Sequence, residues 1–318
     1  MDISIIIRTY NEGRHLGALL QRIAAQRFED GRIETLVVDS GSTDDTLAIA
    51  RGQGCRILHI GREEFTFGRS LNRGCAAARG RHLVFVSGHC LPVASDWLAQ
   101  LIAPLADGSA DYAYGRQMGN GEGRFSEGQL FKKYFPEASR IPQDGIFCNN
   151  ANAALRRDVW ERYAFDEELT GLEDMDLARR LAADGLKIAY VAPAAVYHLH
   201  DESWSQIRNR YEREAVALQK IMPDVHVSFT DFLRYFIAGV LLDMGGSLQE
   251  RRFLSTAREI VMFRFMQYLG SYRGNHEHRK LSRERKERYF YPRRALYRED
   301  EGSIERKARP RDLTHHGG

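Results

Sequence analysis

Two apolar runs in this sequence end on carboxylates, and a third ends on a histidine. The run that begins at Ile3 closes on RTYNEG, Arg8 to Gly13, and a second closes on VVDSGSTDDT, Val37 to Thr46. A carboxylate at a strand end, such as Asp39, can accept hydrogen bonds from a base edge or a ribose, while Ser42 or Thr43 followed by Asp44 and Asp45 can cap the next helix. Taken alone, Asp39 reads as a turn or capping residue. Two such strand ends converging on one crevice point instead to a ligand site. The third run, LVFVSGHCLP from Leu83 to Pro92, reads as a buried strand, a sharp edge and a proline. Acidic residues that hold a metal are expected at such an edge, and the chain supplies Ser87, Gly88, His89 and Cys90. Neutral imidazole is a poor ligand for Mg2+ but an acceptable one for Mn2+ and softer ions. Further on, GLEDMDLARR opens a helix with Glu173, Asp174 and Asp176, charges that the macrodipole favours there, and only one of the three can aim squarely into a cleft. His198 and His200, in YHLH, are two apart on an expected strand and so share a face.

The elements that must position these groups are legible from periodicity. ISIIIR at 3–8, ETLVVDS at 34–40, CRILHI at 55–60 and HLVFVS at 82–87 read as strands. HLGALLQRIAAQ, DDTLAIARGQG and LNRGCAAARG between them repeat apolar residues at helical spacing. Alternating strand and helix predicts an α/β fold with a mainly parallel sheet, whose ligands sit beyond the carboxyl ends of the strands. A strand DYAYGRQM follows, then a polar, glycine-rich segment from Gly119 to about Gly145 that reads as a mobile loop over the site. EDMDLARRLAADG reads as a helix and KIAYVA as a strand. The expected organisation is a catalytic domain over 1–225 and a helical, basic annex over 226–318. No GxGxxG follows the first strand and no GxxxxGK[ST] occurs, which argues against a dinucleotide dehydrogenase and a P-loop enzyme.

With 318 residues, 43% apolar and 28% charged, the chain suits one large core with an appendage. Cys55, Cys75, Cys90 and Cys148 form no CxxC pair, so neither a disulfide scaffold nor a structural zinc site is indicated, and a reducing compartment fits best. Met1 runs directly into DISIIIRTYNE without a secretion signal, and FIAGVLLDMGG from Phe236 is about half the length that spans a bilayer. The basic runs between Arg273 and Arg311, such as HRKLSRERKER, would suit an anionic surface or simply a solvated helical tail. The expected location is cytoplasmic, with the chain peripheral on the inner face of the cytoplasmic membrane.

TYNE, VVDSGSTDDT, LNRGCAAARG, SGHCLP and GLEDMDLARR, in this order and spacing, resemble the family 2 inverting glycosyltransferases of GT-A fold, over about residues 3–215. EFTFGRSLN, VYHLHDESWSQIRNRYE and QYLGSYRG are similar to the rhamnosyltransferase-like subgroup, which builds O-antigens and other surface polysaccharides. The resemblance implies that Thr9, Asn11, Glu12 and Asp39 surround the donor nucleotide, with Arg69, Asn72 and Ser87 also on the donor side. It makes Asp174 the base that deprotonates the acceptor hydroxyl and puts Glu173 and Asn150 on the acceptor side. Family members carry Asp-x-Asp, or a single Asp, where this chain has Ser87-Gly88-His89. A divalent cation would then be held by His89 and His198, Mn2+ more than Mg2+. The alternative is that His+ or Arg69 stabilises the leaving group directly. Phe67 and Leu71 stand where the subgroup usually has a His and an Arg, so dTDP-rhamnose is not assumed as donor. The expected partners are a nucleotide-sugar donor, a glycan or lipid-linked acceptor and an anionic membrane surface, with no nucleic acid. Two other readings compete: a degenerate GT-A domain acting as a sugar-binding or scaffold subunit, and a nucleotidyltransferase. Asp174 with Asp39 speaks against the first, and the missing glycine-rich loop against the second.

Overall fold

The computed structural model describes residues 2–28 and 31–276. The strand β1 (Ile3–Thr9) is buried along nearly its whole length, as a central parallel strand covered on both faces must be. It pairs in parallel with β2 (Ile33–Asp39) on one side and β4 (His82–Ser87) on the other, and β2 carries β3 (Arg56–His59). The full sheet has eight strands in the order β3-β2-β1-β4-β7-β6-β8-β5. Here β5 is Cys90–Pro92, β6 Tyr112–Met118, β7 Asn152–Arg156 and β8 Ile188–His198. β7 runs antiparallel to both β4 and β6, and β5 antiparallel to β8.

Helices cover both faces. One apolar cluster packs α1 (Gly13–Ala24), α2 (Thr46–Gly52) and α4 (Trp97–Ala106) against the sheet through residues such as Leu16, Leu19, Trp97 and Leu101. The other places α3 (Phe67–Ala77), α6 (Arg157–Tyr163) and α7 (Glu173–Ala183) on the opposite face, through Leu71, Val159, Leu177 and Leu181. At Gly74 of α3 an added Cβ would stand 2.6 Å from Ile6 Cγ2, so that helix can lie on β1 only with glycine there.

The strands and helices of the first half fall within a few residues of their expected positions. Gly119 to Gly145 is not the featureless loop its composition suggests, because α5 (Phe125–Tyr134) occupies its middle. KIAYVA extends through VYH into the single strand β8. Beyond it, α8 (Trp204–Ile221) and α9 (Phe229–Gln249) start on capping boxes at Ser203 and Ser228. α10 (Phe253–Asn275) packs back on α9 through a buried bidentate pair, Arg264 with Asp243, at 2.7 and 2.8 Å. Residues Met1–Gly274 form one compact unit that includes α9, while the expected boundary near 225 falls in the turn between α8 and α9. The basic stretch beyond residue 276 lies outside the described residues. No described helix is long and apolar enough to cross a membrane, and all four cysteines are free.

Candidate active site

The carboxyl ends of β1, β2 and β4 stand side by side, with Thr9 opposite Asp39 and Arg8 opposite Ser87. Asp39 is fully buried and accepts from Thr9 Oγ1 at 3.0 Å, from the Gly41 and Ser42 N–H groups at 2.9 Å each, and from Ser42 Oγ. Burial alone would raise its pKa, yet these hydrogen bonds hold it below the ordinary carboxylate range. Asn11 sits in the left-handed region at φ 56° and locks the two strand-end loops together, its side chain accepting from Thr43 N–H at 2.8 Å. Glu12 reaches across to His89, with Oε1 2.7 Å from Nδ1. That approach requires Gly88, where a Cβ would stand 2.7 Å from Glu12 Cγ.

Asn72 and Arg69 form the wall beside this edge. Asn72 spends both side-chain donors on Phe165 O and Glu167, at 2.9 and 3.0 Å, and its oxygen on Trp160 Nε1 and Phe165 N–H, both at 3.0 Å. No hydrogen-bonding capacity is left for a ligand. Asn72 instead positions Glu167, which pairs with Arg69 at 2.8 Å. Leu71 is core, while the Phe67 ring lies under Arg8 and Arg213, at 5.0 and 4.5 Å.

The three acids of α7 take three separate partners. Asp176 is bound by Arg179 and Arg180 at 2.8 Å each and is structural, while Glu173 pairs with Arg8 at 3.2 Å. Asp174, 7% exposed, accepts from Asn150 N–H at 2.9 Å and from Met175 N–H at 2.8 Å. Burial first, then the neighbouring Glu173 charge, pushes its carboxyl up to about 7, against the pull of those two N–H groups and of Arg8. The helix enters through Leu172 at φ 57°, a strained conformation for a branched residue and one that sets the direction of the first turn. Asn150 is buried, its Oδ1 taken by Tyr112 Oη at 2.5 Å, and its Nδ2 has no partner.

The β5 to β8 pairing places Cys90 opposite His198 and so brings the two candidate histidines together. Their Nε2 atoms are 3.1 Å apart. His198 Nδ1 lies 2.6 Å from Gln117 Oε1 of β6. Burial, and then His200, His89 and Arg210, holds His198 well below the usual imidazole range, so its ring is neutral. The His200 ring lies against His198 at a tilt of 53°, with centroids 4.0 Å apart, and its Nδ1 is 2.6 Å from Glu127 Oε1 of α5. Burial would raise Glu127, but the His200 hydrogen bond and the charges of Arg210 and Arg124 hold it below its usual value. A cleft of about 440 Å³ opens here, bounded by Arg14, Arg124, Lys132, His198 and His200. Glu127 carried no signal in the sequence, because it lies in the segment whose glycines hide a helix. His200 had one, its spacing of two from His198.

An open, mainly parallel sheet with its acids gathered at the strand ends is the GT-A architecture that the motifs implied. The family model for glycosyl transferase family 2 matches residues 4–164, and the chain belongs to that family and is a glycosyltransferase. It is 27% identical over 224 residues to an O-antigen chain rhamnosyltransferase of Salmonella typhimurium, covering 66% of this chain and 70% of that one. It is 28% identical over 221 residues to another from Salmonella anatum, with the same coverage of 66% and 70%. Among solved structures it matches a mannosyltransferase from Pyrobaculum calidifontis in complex with GDP-Man and Mn2+, at TM-score 0.58 and 18% identity over 88% of this chain and 86% of that one. S. aureus TarS in complex with UDP-GlcNAc matches at TM-score 0.53 and 18% identity, over 86% and 92%. At these identities the two structures establish the shared fold.

Proposed function

We propose that the chain transfers a hexosyl or deoxyhexosyl group, with inversion, from a nucleoside diphosphate donor to a hydroxyl of a surface polysaccharide or lipid-linked glycan. The observation that carries this reading is Asp174, a buried carboxylate at the opening of α7, held by the Asn150 and Met175 N–H groups, with its pKa raised by burial and by the neighbouring Glu173 charge. A base works best with a pKa near the working pH, and general base assistance contributes on the order of 10²- to 10⁴-fold. In the proposed step Asp174 takes the proton of the acceptor hydroxyl while the hydroxyl oxygen attacks the anomeric carbon. The bond to the diphosphate breaks on the opposite face, and the configuration inverts. Asn150, whose backbone N–H binds Asp174, would stand on the acceptor side of that carboxylate. Thr9, Asn11, Glu12 and Asp39 would shape the nucleotide edge, with Ser87 beside them. Arg69 offers a guanidinium nitrogen beyond those bound to Glu167 and Glu64 O.

His89 and His198 fit a cation, because Glu12 and Gln117 orient the rings and leave their Nε2 atoms facing each other. Such an ion would offset the negative charge that builds on the leaving diphosphate. The names of the two Salmonella relatives support a polysaccharide acceptor, whereas Phe67 leaves the donor sugar open. The location we propose is the inner face of the cytoplasmic membrane, a reading supported by exposed apolar residues of α9 and α10. The test is nucleotide release from a panel of UDP-, GDP- and dTDP-sugars, with and without a lipid-linked glycan acceptor. Release from at least one donor that is lost in Asp174→Asn is expected, and no release from any donor would overturn the reading.

A further inference from the structure

We propose that His89, His198 and His200 together form a three-nitrogen site for one borderline transition-metal ion of the zinc and cobalt class, rather than a site for Mg2+. One ring nitrogen from each lies within 4.8 Å of the others. Hydrogen bonding fixes which nitrogens these are. Ala151 N–H donates to Asn149 Oδ1 at 3.0 Å, which sets that amide, so Gln117 must turn its Nε2 to the same oxygen at 2.9 Å and its own Oε1 to His198. An oxygen acceptor therefore faces Nδ1 of every ring: Glu12 on His89, Gln117 on His198 and Glu127 on His200. Each neutral ring must carry its proton on Nδ1 and present a lone pair at Nε2.

Two such lone pairs 3.1 Å apart repel unless something positive lies between them. A proton would join only one pair of rings. An ion about 2.0–2.1 Å from each nitrogen places them roughly 3.0–3.4 Å apart, which matches the His89–His198 separation, and a side-chain rotation brings His200 in. Carboxylate or amide oxygens behind ligating imidazoles are the arrangement that orients such ligands and raises their basicity. Three imidazoles suit zinc, cobalt and nickel, whereas Mg2+ demands oxygen. His198 and His200 line the cleft, so the site is open to it. Only a partnership of the ion with the leaving diphosphate rests on the function proposed above.

The test uses the full, untagged chain stripped with EDTA and dialysed separately against Zn2+, Co2+, Mn2+ and Mg2+, with bound metal measured by mass spectrometry and the Co2+ complex by visible absorption. One equivalent of Zn2+ or Co2+ should be retained, with Co2+ bands of nitrogen coordination and little retention of Mg2+. Glu127→Gln and His200→Ala should each weaken Co2+ binding by roughly 10- to 100-fold or more while circular dichroism shows a folded chain. Retention of Zn2+ and Co2+ no better than Mg2+, or a folded His200→Ala chain that binds Co2+ as wild type does, overturns the inference. Sugar transfer by a chain that fails these metal tests would leave the proposed function standing. One equivalent of Co2+ on a chain that releases no nucleotide would support the site and overturn the function.

Discussion

Asn150 donates its backbone N–H to the Asp174 carboxylate at 2.9 Å, while its side-chain amide nitrogen is buried without a partner. That bond fixes the direction of the carboxylate proposed as the base. Asp174→Asn keeps the shape and removes the proton acceptor. Turnover should fall by about 10²-fold or more, with donor affinity measured by calorimetry nearly unchanged. Near-normal turnover in the Asn variant would remove Asp174 from this role.

The raised pKa makes a second, independent prediction. Transfer needs the ionised form, so the rate should fall as pH drops below about 7, approaching tenfold per unit. Folding responds in the opposite sense. A carboxyl raised from 3.8 to about 7 contributes stability that is present below pH 3.8 and lost as pH rises through 7, at up to about 1.4 kcal/mol per unit between the two. Asp174→Asn does not titrate, so its melting temperature relative to wild type should climb between pH 4 and pH 7. A difference independent of pH would mean that Asp174 ionises normally.

How much of this was legible depended on which interactions the local pattern records. β1, β2 and β4 could be read because strands buried on both faces are continuous apolar runs. β7 could not, since Asn152 to Arg156 is too short to show a period, and α5 was hidden by the glycines around it. Asp174 was legible through its motif neighbours, yet its separation from Glu173 and Asp176 needed Arg8, Arg179 and Arg180 in place. Asn72 illustrates the limit, because four hydrogen bonds to residues near 165 turn a motif residue into a positioning one. The histidine site needed the register of β5 on β8, which no sequence period states.

Asp39 carries a third prediction, because its acceptor capacity is spent on Thr9 of β1 and on Gly41 and Ser42 of its own loop. Asp39→Asn strands the Gly41 or Ser42 N–H and should cost about 1–3 kcal/mol of stability near neutrality. Its depressed folded pKa contributes stability that is present above 3.8 and lost as pH falls through the folded value, so the gap to the variant should close in acid. Ser42→Ala frees one acceptor site. If the carboxylate also receives the base edge, that variant should keep or gain nucleotide affinity while Asp39→Asn loses roughly tenfold. Parallel losses would confine Asp39 to the turn.

The last prediction concerns α9 and α10, whose outer faces are apolar without being covered. On α9, Leu233, Ile237, Leu241 and Leu242 follow helical spacing at 40, 54, 64 and 75% exposure, and Leu254, Val261 and Phe265 stand exposed on α10. Arg234, Arg251 and Arg258 are exposed on the same two helices and the turn between them, while the exposed acid there, Glu250, is neutralised by Lys132 at 2.9 Å. An apolar face rimmed by arginine matches an anionic lipid surface, where each cation is worth about 1 kcal/mol and a fully buried leucine about 1.5–3 kcal/mol. The membrane reading therefore does not depend on the basic stretch beyond 276. Leu241→Asp with Leu242→Asp, at positions that bear little on the core, should lower flotation with vesicles containing phosphatidylglycerol by roughly 10²-fold. Neutral vesicles should bind wild type less well than anionic ones, and high salt should narrow that difference. Unchanged flotation of the double variant would clear this face of membrane contact, and loss of a wild-type dimer in light scattering would assign it to a second copy of the chain.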